Sequence, residues 1–217
     1  MRFLKKIKQA FPILVLLASG CGYPQLTQED DAAIPADYTY IIGPGDSVQI
    51  FVWGNPDIST TAHVRPDGKI TIPLVEDLLA SGKTPSQLAR IMEKALSKYV
   101  RDPQVVIIVG GGQGIYSQQV RIIGQLGGGG GSGGGGSAHY SAKTFPYKRD
   151  MTLLDLVIQI GGLGQFADGN RASIIRNIDG EPQHFGIRID DLVDNADFTA
   201  NVKILPGDIV IIPQAFF

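Results

Sequence analysis

The 217-residue chain has one cysteine, three histidines and one tryptophan. A single cysteine cannot pair within the chain, which excludes a disulfide scaffold. His63, His139 and His184 do not stand at metal-ligand spacing with one another or with Cys21, so no metal site or cofactor is expected. Neither a phosphate-binding loop nor a serine-nucleophile motif occurs. Charge is also sparse, at 18% of residues and a net −2, while 43% are hydrophobic. Disorder throughout requires the opposite balance. What the chain has in excess is glycine, 28 residues in all, of which nine lie in Gly127–Gly131 and Gly133–Gly136.

The start has an order of its own. Arg2, Lys5, Lys6 and Lys8 precede the apolar run Phe11–Ala18, which leads to Ser19-Gly20-Cys21. A basic region, a short apolar core and small residues describe a secretory signal peptide over 1–20. The core is shorter than the ~20 residues that a spanning helix needs. Removing those four cations leaves 15 basic against 21 acidic residues, net −6, which argues against nucleic acid as a partner.

Residues 21–37, with Pro24, Pro35 and Glu29-Asp30-Asp31, read as a polar tether. Strands are expected over Tyr38–Ile42, over Val48–Val52 with Trp53 extending it, up to Val64, and over Ile70–Leu74. Thr84-Pro85-Ser86-Gln87 is a capping box with proline at the first helical position. Leu88, Ile91, Met92, Ala95, Leu96 and Tyr99 then form one apolar face of a helix reaching about Val100. Val105–Val109 reads as a buried strand, and Val120–Ile123 opens a second strand-rich unit. The tract 127–137 has linker composition and is set aside from the fold. Thr152–Asp155 is a second capping box, with Gly161-Gly162 ending its helix. Strands follow at Ala172–Arg176, His184–Ile189 and Ile209–Ile212.

Turn chemistry recurs. Gly43-Pro44-Gly45-Asp46 and Leu205-Pro206-Gly207-Asp208 both lead into an apolar strand, and Pro66-Asp67-Gly68 joins two strand ends. These residues read as structural turns, with each aspartate bonding backbone amides. Asp67 and Glu76 offer the one imaginable glycosidase pair, but Asp67 falls in its turn. No enzyme is expected, and the spacing identifies no binding residue. Trp53 is expected in a core or an interface.

Leu17-Ala18-Ser19-Gly20-Cys21 resembles a bacterial lipobox, with Ala18 where the usual leucine stands. The resemblance implies lipidation of Cys21, and Gly22 after it implies sorting to the outer membrane. Tyr40–Trp53, Val64–Leu74, Thr84–Val100 and the strand after Asp102-Pro103 resemble a polysaccharide export domain. Val120–Gly124, Met151–Gly162, Asn170–Arg176 and Leu205–Pro213 resemble the soluble-ligand-binding β-grasp (SLBB) domain that follows it. The family is that of the Wza-like outer-membrane polysaccharide export lipoproteins. The fold it implies is α+β, an export domain over 38–112 and an SLBB-like β-grasp domain over 113–217, each with about one main helix. The resemblance implies a lipid-anchored subunit of an exopolysaccharide or capsule export conduit, facing the periplasm. Its implied partners are further copies of itself in a ring, an inner-membrane polysaccharide co-polymerase and the passing polymer. The long members' pore helix has no counterpart after Pro213, so a separate outer-membrane β-barrel is expected. The rival reading is a monomeric periplasmic glycan-binding lipoprotein, in which Tyr38, Tyr40 and Trp53 stack on sugars.

Overall fold

Apolar and polar residues alternate across Ser47–Val52 and make β1, with Val48, Ile50 and Val52 buried on one side. β1 is the centre of a three-stranded antiparallel sheet, between β2 (Thr60–His63) and β5 (Val105–Gly110). β3 (Lys69–Ile72) and β4 (Val75–Leu79) form a separate hairpin. Helix α1 (Pro85–Leu96) completes this half. Its capping box is fully formed: the Thr84 hydroxyl accepts from the Gln87 amide and the Gln87 side chain accepts from the Thr84 amide. The computed structural model describes residues 23–28, 38–127 and 140–216. The expected signal peptide, Cys21, residues 128–137 of the Gly/Ser tract and His139 lie outside them.

The second half is a five-stranded sheet in the order β7-β6-β10-β8-β9. Its strands are β6 (Gln119–Gly124), β7 (Ser141–Pro146), β8 (Ser173–Ile178), β9 (Glu181–Gly186) and β10 (Ile209–Ile212). Every pairing is antiparallel except β6 with β10, the first and last strands, which run parallel at the centre. With α2 (Leu153–Ile160) between its second and third strands, this is a β-grasp order. A six-residue α3 (Ile189–Asp194) follows β9. The whole is a mixed α+β fold with two buried clusters. One is built from residues between Ile42 and Ile107, the other from Leu26 and residues between Val120 and Ile212.

Several expectations need correction. Tyr38–Ile42 is irregular rather than a strand. α1 stops at Leu96, with Ser97 as its C-cap, so Tyr99 stays exposed beyond it, while Ile91, within the helix, lies on its exposed side instead of joining Leu88, Met92 and Leu96 in the core. β5 is buried on one face only, because none of the described residues covers Val106 and Ile108. β9 ends at Gly186, and Ile189, expected in that strand, opens α3. Residues 23–28 do not hang free. The Gly186 amide donates to the Pro24 carbonyl (2.8 Å), the Leu26 amide donates to the Gly186 carbonyl (2.9 Å), and Leu26 is buried in the second core.

Candidate functional site

The two Pro-Gly-Asp motifs form the same turn. In each, the aspartate amide donates to the carbonyl three residues earlier (3.2 Å for both Asp46 to Gly43 and Asp208 to Leu205). Proline holds the second position and a positive-φ glycine the third, at +89° for Gly45 and +88° for Gly207. That is type II geometry, which demands a residue tolerant of positive φ at that place. In each, one carboxylate oxygen also accepts the amide three residues back, Gly43 to Asp46 and Leu205 to Asp208, both at 2.8 Å.

The remaining bonds of the two carboxylates differ. Asp46 Oδ2 also accepts the Tyr40 hydroxyl, and its Oδ1 accepts the Gln113 and Gly114 amides at 2.6 and 3.0 Å. Asp46 thereby ties its turn to the connector between β5 and β6. Asp208 receives the Arg176 guanidinium in a buried two-point pair, Nε at 3.0 Å and Nη2 at 2.8 Å. Burial pushes the Asp208 carboxyl up, against the lowering effect of Arg176 and the Leu205 amide. Both turns abut the connector as well. A Cβ on Gly43 would collide with the Gly114 carbonyl, and one on Gly207 would lie 2.7 Å from the Ser117 carbonyl oxygen. The Gln118 side chain completes the seam, accepting from the Ile41 amide and donating to the Thr39 carbonyl. With four and three donors respectively, both carboxylates are committed to holding the connector and the second core.

The third turn serves its hairpin. The Gly68 amide donates to the Arg65 carbonyl across Pro66, and Asp67 accepts from the Lys69 amide and from Arg65, whose other arm holds Asp77. Asp67 is thus engaged by its own turn, and Glu76 stands exposed on β4. His63 is exposed on β2, and His184, exposed on β9, stacks on Tyr23 with centroids 5.0 Å apart. Among the described residues no group of His, Cys, Asp and Glu is placed to hold a metal ion, and no helix is long and apolar enough to cross a membrane.

The outer face of the β2-β1-β5 sheet is a candidate interaction surface. Register brings Phe51 beside Val106 and sets Gln49 between Thr61 and Ile108. Trp53, next to β1, meets Phe51 edge to face at 6.1 Å. These are large apolar groups in the open: Trp53 is 72% exposed, Val106 53%, Ile108 50% and Phe51 42%. The outward side chains of these strands, Ser47, Gln49, Phe51, Thr61, His63, Val106 and Ile108, include no Asp, Glu, Lys or Arg. Large apolar groups exposed together on one strand face make this a candidate interaction surface. Among the described residues Trp53 is therefore not a core residue, unlike one of the two roles expected for it. The apolar run Val105–Val109 held the signal for this patch, although the sequence does not say which of its faces stays uncovered.

Residues 34–110, about a third of the chain, match the family model described as polysaccharide biosynthesis/export protein. The matched stretch takes in the Gly43–Asp46 turn, the three-stranded sheet with its exposed face, the β3-β4 hairpin and α1.

Proposed function

We propose, on the premise that residues 34–110 form a polysaccharide biosynthesis/export domain, that this protein is a lipid-anchored subunit of a polysaccharide export conduit. The match over those residues carries the proposal and supports a role in polysaccharide biosynthesis or export. The assembled form proposed is a ring of identical copies that passes polymer without modifying it. The exposed sheet face supports self-association, because Phe51, Trp53, Val106 and Ile108 lie within the matched stretch and find no cover among the described residues. The lipid is proposed on Cys21, and the β-grasp half is proposed to be an SLBB domain. Localisation at the outer membrane, facing the periplasm, is proposed from that anchor and from Gly22 after it. The inner-membrane co-polymerase and a separate β-barrel are proposed partners.

One observation favours the rival glycan-binding reading. The Phe51–Trp53 ring pair, with Gln49 and Thr61 nearby, also suits the apolar face of a sugar. Sedimentation of the full chain in detergent separates the two. The conduit reading expects an oligomer that dissociates in the Trp53→Ser/Ile108→Ser variant. A monomer whose affinity for a glycan falls in that variant establishes the rival instead.

A further inference from the structure

Residues 23–28 add a short parallel bridge to the free edge of β9, through Gln25 and Gly186. Three features hold this strap: the two backbone bonds at Gly186, the buried Leu26 side chain, and the Gln28 amide donating to the Phe198 carbonyl at 2.8 Å. Its first described residue, Tyr23, lies two residues from Cys21, a separation of at most about 7 Å along the chain. Without the strap, the residues between Cys21 and Tyr38 could separate an anchor from the folded protein by about 55 Å. With it, Tyr23, two residues after Cys21 in the sequence, is held against β9 at the edge of the second sheet.

That end carries exposed aromatic rings with polar tips beside them. Tyr23 stacks on His184, and the Arg171 guanidinium lies 4.4 Å from the centroid of Phe216, which is 84% exposed. Between them opens a cavity of about 380 Å³ lined by Gln25, Asn170, Ser173 and His184 among others. Rings with one apolar and one wet side, together with long cationic stems, are the side chains that settle at a membrane–water boundary.

We infer that the strap and the β9 end form a membrane-contact surface, on which Tyr23 and Phe216 rest in the headgroup layer of a phospholipid bilayer. This rests on the lipid-anchored reading above, and the strap turns that anchor from a loose leash into a fixed orientation.

The test uses the full chain, isolated with its membrane and reconstituted in phosphatidylethanolamine and phosphatidylglycerol vesicles doped with a doxyl-labelled lipid. Trp53, the only tryptophan, reports on the first sheet. A Trp53→Phe/Phe216→Trp variant reports on the β9 end. The expected result is loss of roughly half the emission at position 216 with little change at position 53, since only groups in the interfacial layer meet the label. Leu26→Asp, which releases the strap while leaving Cys21 in place, should bring position 216 down to the level of position 53. Intact mass of the same preparations keeps the two ideas apart. A mature chain without a lipid increment overturns the anchor and this placement with it. A lipidated chain in which position 216 is unquenched, or is quenched no more than position 53, overturns the placement and leaves the anchor standing.

Discussion

Replacing Asp46 by Asn changes one atom and tests whether the Gly43–Asp46 turn holds the connector. The carboxylate accepts three backbone amides and one hydroxyl, with two donors on each oxygen. The asparagine side chain puts an NH2 group, which donates, in place of one of those oxygens. If that group faces the Gln113 and Gly114 amides, two backbone N–H groups lose their acceptor. The cheaper orientation turns it toward Tyr40, whose hydroxyl can rotate to accept. The Gly43 amide is then left unpaired, at about 1–3 kcal/mol. The two surviving bonds become neutral instead of charge-assisted, which costs roughly another 1 kcal/mol each. The expected loss is therefore about 3–5 kcal/mol. In urea, followed by circular dichroism, that moves the midpoint of the affected transition down by about 2 M at a slope of about 2 kcal/mol per M. Amide exchange at Gln113 and Gly114 should rise with it. Asp67→Asn, in an exposed turn, is the control and should cost less than about 1 kcal/mol. A midpoint shift for Asp46→Asn no larger than that of the control would refute the clamp.

Gly43→Ala places a methyl against the Gly114 carbonyl and should destabilise by about 1–3 kcal/mol in the same urea assay, the usual range for an overpacked site. Burial raises the Tyr38, Tyr40 and Tyr147 hydroxyls above the ordinary tyrosine range, and at Tyr40 the bond to Asp46 raises it further. A raised folded value means that this contribution is intact below about pH 10 and is lost as pH climbs above it. Unfolding midpoints should therefore fall in alkali, and less steeply for Tyr40→Phe than for the parent. Leu26→Ala should cost about 2 kcal/mol, near the lower end for a buried leucine, and should speed exchange of the Gly186 amide while Val48 and Ile50 keep their protection.

What the sequence reveals here is the chemistry that acts within a few residues. Both capping boxes, the left-handed Gly161 and the alternation in β1 were legible because each is decided by a neighbour at most four positions away. The paired Pro-Gly-Asp turns were legible for the same reason. What they hold was not, since the Asp46 partners Gln113 and Gly114 lie 67 and 68 residues downstream. β5 shows the limit of composition: five β-branched residues in a row fit burial on both faces, and only the fold shows that Val106 and Ile108 look outward. The strap was hidden because one leucine in a polar stretch carries no periodicity. Its edge pairing depends on β9, some 160 residues away.

Electron microscopy of the detergent-extracted full chain shows whether copies of it assemble as the proposed conduit requires. A conduit requires closed rings of several copies around an open lumen, with Phe51, Trp53, Val106 and Ile108 covered by a neighbouring copy. Isolated single copies with that sheet face bare, at concentrations where the lipidated protein is intact, would contradict it.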